Sequence, residues 1–299
     1  MRVLVTGGAG FLGSHLTDAL LARGDEVVVF DDLSRGSLEQ VGKGARFEQG
    51  DVRLESDWKR VCSNFSPDVI HHLAAVNGTR RFHREADLVV DVNINGTRNA
   101  LAAAKSFGSR LIFYSSPESF GEQETMPLSN DSDSLFTPAH LHQRHSYGAS
   151  KHIGELLCQF EIRNGLDVRI ARPCNAYGPR LHGNENGQVV SMMMSANPIV
   201  VHGNGMQTRC LTWVGDIIEG LLILTDQDGL DGQAFNLGST EEITMLGLAQ
   251  IISEIRNVEI VHGKSNHGDS RRRLPDVSMN ETISWKASTS LRDGLSQLR

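Results

Sequence analysis

Short β-branched apolar runs alternate along the first 175 residues with longer stretches whose apolar positions recur every three or four residues. Val3 to Val5, Glu26 to Phe30, Arg46 to Gly50, Asp68 to Leu73, Arg110 to Ser115 and Val168 to Ala171 each read as a strand. The spacing of Leu16, Ala19, Leu20 and Leu21 predicts a helix after the first strand, and further helices are predicted over Asp91 to Phe107 and from Ser146 onward. Repeated strand–helix alternation predicts an α/β fold, a doubly wound parallel sheet covered on both faces. From about Gly178 the alternation loosens into glycine-rich turns, G-N-E-N-G (183–187) and H-G-N-G (202–205). The expected division is a first domain over 1–177 and a smaller one over 178–209 and 238–299. The stretch T-R-C-L-T-W-V-G-D-I-I-E-G-L-L-I-L, within 210–237 for most of its length, reads as a strand and helix packed back on the first domain. A last helix is expected between Ser290 and Leu298.

The first strand breaks into Gly7, Gly10 and Gly13, in the spacing G-x-x-G-x-x-G, directly before the first helix. Glycines there let backbone N–H groups approach a pyrophosphate at the positive end of a helix, because no Cβ stands in the way. The second strand ends in Asp31, about 20 residues on, where a carboxylate can accept hydrogen bonds from an adenosine ribose. An acid at that place repels a 2′-phosphate, so the cofactor expected is NAD and not NADP. Phe11 and Leu12 within the turn, Asp32 beside Asp31, and Asp51 and Val52 at the end of the third strand are further candidate cofactor contacts. Leu73, Ala74 and Ala75 close the fourth strand, and the two alanines leave room for the cofactor. His71 and His72 before them are expected to pack or cap, with no chemistry.

Composition narrows the partners. With 39% hydrophobic and 22% charged residues the chain reads as an ordinary globular protein, and a net charge of −7 argues against a general nucleic-acid surface. Anionic ligands would have to be met by local arginines. The four cysteines, Cys62, Cys158, Cys174 and Cys210, form no C-x-x-C pair, so reduced thiols in a cytoplasm are expected. No apolar run reaches the length of a membrane span, and no cleavable signal pattern opens the sequence.

Three polar clusters remain. Val76 to Glu85 reads as a basic loop, in which Arg80 and Arg81 are candidates to meet an anionic part of a substrate. The polar stretch Glu122 to His145 holds His140, His142 and His145, but no carboxylate or cysteine completes a metal-ligand spacing, so no metal is expected. The helix from Ser146 carries Y-G-A-S-K, which sets Tyr147 and Lys151 one turn apart on one face. Beside a nicotinamide these form a proton-transfer unit: an ammonium lowers the phenol's pKa, the tyrosine accepts a hydroxyl proton, and Ser116 steadies the same oxygen.

The sequence T-G-G-A-G-F-L-G-S, followed by Ser116 and Y-G-A-S-K, resembles the extended short-chain dehydrogenase/reductase family over nearly its whole length. The resemblance implies a Rossmann-like domain with a smaller substrate-binding domain, bound NAD, and oxidation of a nucleotide sugar at C4. It implies that Asn93 lies near the catalytic groups, and that Asn175, Arg209 and Arg273 hold the nucleotide diphosphate, with Val190 also in the substrate set. A homodimer is implied through the helices that begin near Asp91 and Ser146, with Leu101, Ala102, Ile153, Leu156 and Leu157 on their outward faces. The stretch G-P-R-L-H-G-N-E-N-G-Q-V-V-S followed by Q-T-R is most similar to UDP-glucuronate decarboxylases, which also place a glutamate where Glu118 stands. A UDP-sugar 4-epimerase is the close alternative. A 4,6-dehydratase, whose Asp-Glu pair would fall on Pro117 and Glu118, comes third, and a non-catalytic NAD-binding sensor last.

Overall fold

The computed structural model describes residues 1–141, 145–181, 188–264 and 272–298. His142, the turn at 183–187 and Arg271 lie outside the described residues. The first part of the chain forms β1 (Arg2–Thr6), α1 (Phe11–Ala22), β2 (Glu26–Asp31), β3 (Arg46–Gln49), α2 (Glu55–Ser63), β4 (Val69–His72), α3 (Thr79–Arg84), α4 (Ala86–Phe107), β5 (Arg110–Tyr114), α5 (Ser146–Arg163) and β6 (Val168–Pro173). There follow β7 (Ala176–Tyr177), α6 (Val189–Ser195), β8 (Ile199–His202), β9 (Thr208–Cys210), β10 (Thr212–Trp213), α7 (Val214–Asp226), β11 (Ala234–Leu237), β12 (Glu242–Thr244), α8 (Met245–Arg256), β13 (Ile260–Gly263) and α9 (Leu291–Ser296).

Seven strands form one sheet in the order β11-β6-β5-β4-β1-β2-β3, with every neighbouring pair parallel. The chain reverses direction across the sheet between β1 and β4, so the crevice at their carboxyl ends is where a doubly wound fold takes its ligand. Alternation along β1 covers both faces. Val3 and Val5 pack with Leu16 and Leu20 of α1 and with Ile217, Leu221 and Leu224 of α7, whereas Leu4 faces Trp58, Ala100 and Phe113 on the other side. Burying each such side chain contributes about 1.5–3 kcal/mol. A third cluster, with Val190, Met193, Ile199, Val201, Leu248, Ile252 and Leu295, unites α6, β8, α8 and α9.

The sequence pattern fails in two places. The basic stretch expected to be a loop contains α3, and the long helix begins at Ala86 and not at Asp91. Neither start has a side-chain cap. Both are held instead by a small cluster of Val76, Phe82, Leu88, Val89 and Tyr147, a tertiary arrangement that local signals do not announce. Leu101, expected on an outward face, is 5% exposed and belongs to the core. It lies on the same stripe of α4 as Asn93, Thr97 and Ala104, which the helical period turns inward. Leu157 also packs against that core, while Ala102, Ile153 and Leu156 are exposed.

One carboxylate gathers several bonds from the segment after β13, which Asn280 also ties to β11. Asp216 in the first turn of α7 accepts bonds from the Ser288 and Thr289 backbone N–H groups (3.1 and 2.9 Å) and from the Thr289 hydroxyl (2.8 Å). Its own carbonyl accepts from the Trp285 indole at 2.9 Å. Asp216→Ala would leave the Ser288 and Thr289 donors without their acceptor, while the Trp285 bond to the backbone carbonyl survives, and is expected to destabilise the protein by about 2–3 kcal/mol in urea unfolding. Glu219→Ala, at an exposed position of the same helix, is expected to stay within about 0.5 kcal/mol of the parent.

Candidate active site

The turn between β1 and α1 is tight because three residues lack side chains. Gly7 has φ +68°, and a Cβ there would lie 2.8 Å from the Ala74 backbone nitrogen. A Cβ on Gly13 would collide with the Gly7 carbonyl oxygen. Gly10 is the N-cap of α1 and offers no side chain to its first N–H groups. Those donors therefore face the crevice, as a pyrophosphate requires. The cradle fits NAD on this ground: only glycines let the turn close this tightly against β4 and the start of α1, and no side chain caps the positive end of the helix that lines the cleft.

A cleft of about 1250 Å³ extends from this turn. It is lined at one end by Gly7, Gly10, Phe11, Leu12, Gly13, Asp31, Asp32, Asp51 and Val52, and further along by Leu73, Ala74 and Ala75. Asp31 is 7% exposed and accepts from the Ala9 and Leu33 N–H groups (3.1 and 2.8 Å). Burial raises its pKa against those bonds. Asp31 thus braces the glycine turn as well as lining the cleft. Asp51 is held below the usual carboxylate range, chiefly by the Arg53 guanidinium, which donates to it at 2.6 Å.

The middle of the cleft carries Ser116, Glu118, Tyr147 and Lys151. Ser116 caps a 3-10 turn, Pro117–Phe120, and its hydroxyl accepts from the Glu118 N–H at 3.2 Å. Phe82 stacks on the Tyr147 ring, 5.0 Å between centroids and 14° between planes. The Lys151 ammonium sits 5.8 Å from the centroid of the Tyr147 ring and donates to the Tyr114 carbonyl at 2.7 Å. Sequence reasoning expects this lysine to lower the phenol's pKa, and the arrangement of the chain by itself does the reverse. Burial pushes Tyr147 up to about 12, outweighing a Ser116 hydrogen bond that lowers it, and Glu118 raises it further. Burial likewise pulls Lys151 down to about 8, against the carboxylate of Glu155 and the thiol of Cys158. Desolvation is the largest influence on both because each is almost wholly enclosed.

The remaining sequence candidates divide. Asn175, Val190, Arg209 and Arg273 all line the cleft, Arg273 next to Glu118. Asn175 adopts φ +41° and donates to the Cys210 carbonyl at 3.0 Å, and Arg209 donates to the Thr208 carbonyl at 2.7 Å. Arg273 is 5% exposed, donates to the Gly121 carbonyl (2.6 Å) and to Glu118 (3.3 Å), and its buried Nε has no hydrogen-bond partner. Arg80 and Arg81 also line the cleft, but Arg81 is paired with Glu85 at 2.7 Å, one helical turn on. Asn93 does not line it. Its carbonyl accepts from the Val76 N–H and its amide donates to the Ser150 hydroxyl, both at 2.9 Å, so it braces the loop after β4 against α5 from behind.

His71 and His72 are enclosed and pushed down to about 3 by burial; they bond to the Tyr114 and Thr6 hydroxyls at 3.0 and 2.9 Å. His140 is exposed, and His145 stands 3.5 Å from Glu122. Among the described residues no cluster of His, Cys, Asp and Glu could hold a metal ion, and no helix is long and apolar enough to cross a membrane. Several cleft residues escaped the sequence reading, Arg53 and Arg180 among them, and also Arg35, whose guanidinium donates to the Asn77 carbonyl at 2.6 Å. For Arg35, a basic residue in the turn directly after Asp31 and Asp32 was the available signal.

Comparison with known proteins agrees with this geometry. The UDP-glucuronic acid decarboxylase 1 of Arabidopsis thaliana is 35% identical over all of this chain, which spans 69% of that protein. A UDP-glucose 4-epimerase of Thermotoga maritima, solved with UDP-glucose, superposes with a TM-score of 0.92 at 28% identity, over 99% of this chain and 97% of that one. The Thermus thermophilus UDP-glucose 4-epimerase, solved with NAD, gives a TM-score of 0.90 at 28% identity and the same coverage. Residues 3–238 match the description of the NAD dependent epimerase/dehydratase family. With that match, the glycine cradle and the Ser116, Tyr147 and Lys151 group in one cleft, the chain belongs to the NAD-dependent epimerase/dehydratase family and is an NAD-dependent nucleotide-sugar enzyme.

Proposed function

We propose that this protein oxidises a UDP-hexuronate at C4 and releases its C5 carboxylate as carbon dioxide, as a UDP-glucuronate decarboxylase. The observation that carries this reading is Glu118, a carboxylate held by Arg273 and turned into the same cleft as Ser116, Tyr147 and Lys151. The 35% identity to a protein of that name supports it. Gly7, Gly10, Gly13 and Asp31 would hold NAD, which when bound supplies a hydride acceptor for C4. Tyr147 takes the C4 hydroxyl proton at its phenolic oxygen, and Ser116 hydrogen-bonds the same substrate oxygen. Lys151 supplies positive charge under that tyrosine. The resulting 4-keto uronate is a β-keto acid, so the bond from C5 to the carboxylate carbon breaks with its electron pair drawn toward the C4 oxygen; C5 then takes a proton from water, and C4 regains the hydride it gave up together with the proton held on Tyr147, so the net change is loss of carbon dioxide alone. Asn175 and Arg209 meet the diphosphate, and Arg80 or Arg81 the uronate.

The second reading, a UDP-sugar 4-epimerase, is favoured by the likeness to epimerases in fold and needs only that the keto sugar turn over in the cleft. A 4,6-dehydratase is less well supported, because Pro117 offers no acid where that chemistry uses aspartate. A sensor without chemistry has no use for an enclosed lysine beside an enclosed tyrosine, an arrangement that costs stability. We also take the protein to be a homodimer through α4 and α5, supported by the exposure of Ile153, Leu156 and Phe160 on α5. A cytoplasmic setting is supported by four buried, unpaired cysteines.

UDP-glucuronate incubated with the protein and NAD is expected to lose the mass of carbon dioxide. An unchanged mass with an inverted C4 proton coupling would instead establish the epimerase. Tyr147→Phe is expected to lower kcat about 10²–10⁴-fold with little change in stability. Lys151 carries a linked prediction with a definite sign. Its folded pKa, about 8, lies below the usual 10.5, so the cost of burying its charge is fully present at pH 7, fades between those values, and is gone above them. Lys151→Met is therefore expected to raise stability at pH 7 by about 1–3 kcal/mol, with the gain disappearing by pH 10.5, while turnover is lost. Urea unfolding across that pH range measures it.

A further inference from the structure

Behind the cleft lies a buried ion pair that the chemistry above does not use. Glu155 stands one helical turn beyond Lys151 and two beyond Tyr147 on α5. Its side chain is 13% exposed and that of Arg172, on β6, is 5% exposed. The guanidinium donates to both carboxylate oxygens, Nε at 2.8 Å and a terminal nitrogen at 2.6 Å, and its other terminal nitrogen donates to the Asn130 side-chain oxygen at 2.6 Å. Burial works to raise the Glu155 pKa, yet the Arg172 bonds, helped by the Ser115 and Ser119 hydroxyls, hold it below the usual carboxylate range. The pair is therefore charged on both sides.

A buried ion pair is a poor source of stability, since apolar residues of the same volume do as well or better. What it supplies that they cannot is direction. Ser115 donates its hydroxyl to Glu155, Ser119 bonds to the same carboxylate, and the Arg172 guanidinium lies 4.8 Å from the Phe120 ring centroid. These three residues flank and follow Ser116 and Glu118, and Ser115 itself also lines the cleft. On the other side, a Cβ at Gly148 would collide with the Glu118 carbonyl oxygen, so helix and turn are already in contact next to Tyr147. The carboxylate thus ties the turn that carries Ser116 and Glu118 to the helix that carries Tyr147 and Lys151.

We propose that Glu155, oriented by Arg172, is a positioning residue that sets the separation between Ser116 and Glu118 on one element and Tyr147 on the other by clamping Ser115 and Ser119. Its catalytic consequence rests on the reading of Ser116 and Tyr147 given above. The clamp itself does not. Two serine hydroxyls flanking a reacting serine and bonded to one carboxylate fix both ends of a single turn. A misplacement of about 1 Å at such a turn costs on the order of 10²-fold in rate.

The test uses Ser115→Ala with Ser119→Ala, which leaves the Glu155 and Arg172 pair whole and the protein folded, beside Glu155→Gln. In the double serine variant, the backbone amides of residues 115, 116 and 118–120 are expected to exchange with deuterium about tenfold faster, while those of β5 and the first turn of α5 are unchanged. With the nucleotide sugar that the parent turns over, kcat is expected to fall about 10- to 100-fold in both variants and KM to stay within about threefold, since the distant diphosphate contacts are untouched. Unchanged exchange over 115–120 would overturn the clamp whatever the substrate proves to be. So would faster exchange with an unchanged kcat, or a loss of rate that only follows loss of folded protein. If the parent turns over no nucleotide sugar, the functional reading fails, and the exchange measurement still decides the clamp.

Discussion

The cleft is built on one constraint, the close approach of the Gly7 carbonyl to Gly13, where a Cβ would collide with that oxygen. It lets the first turn of α1 rest on the end of β1 and against Ala74 at the end of β4. Because β1 and β4 are neighbours whose connections leave in opposite directions, that contact places an uncapped helix N-terminus at the crevice of the sheet. Asp31 fixes the turn from the β2 side by accepting the Ala9 N–H, so the residue expected to meet the ribose also holds the cradle in shape. The glycines at these positions answer to packing and to ligand approach at once. A side chain on Gly13 would lift the helix off the strand before any cofactor arrived.

A second constraint acts deeper in the cleft, where burial competes with charge. Tyr147 and Lys151 are both displaced from their ordinary pKa values in the direction that disfavours their ions. The lysine answers by donating to the Tyr114 carbonyl, and the phenol is covered by Phe82 on one face. At pH 7 the tyrosine is therefore held as the phenol, whereas the lysine, pulled down only to about 8, keeps its charge. A positively charged nicotinamide ring brought beside them would favour the phenolate, which ties readiness for proton transfer to the presence of cofactor.

The parts of this arrangement that the sequence discloses are those governed by local rules. The strand runs are legible because burial on both faces demands apolar residues there, and the glycine turn because only glycine tolerates the approach. The pairing of Tyr147 with Lys151 follows from helical spacing alone. What escaped depends on residues far apart in the chain. α3 is held by Phe82 against Tyr147, 65 positions later by their numbering. Asn93, expected near the catalytic groups, spans Val76 and Ser150 without lining the cleft, a bracing role that no local pattern announces. Leu101 was expected outside because a leucine among alanines gives little indication of which stripe of the helix faces the core. Glu155 and Arg172 gave no signal, since neither belongs to a pattern until β6 is laid beside β5 and α5 is packed across them.

The turn from Ser115 to Phe120 is where the possible outcomes of the shared oxidation separate. Proline at 117 suits the first position of a 3-10 turn, where its missing N–H and fixed φ cost nothing, and it thereby removes a side chain that acid–base chemistry at C6 would need. Glu118 remains, and its partner is Arg273, which also donates to the Gly121 carbonyl and so binds the segment after β13 to the same turn. An arginine whose Nε is buried without a partner has capacity for one more acceptor. A glutamate alone in this cleft would repel a uronate; a glutamate already engaged by such an arginine presents less negative charge to it. The same pair would neither help nor hinder a neutral hexose, so this turn admits a uronate by cancelling the charge of Glu118, and any attraction for its carboxylate has to come from elsewhere in the cleft.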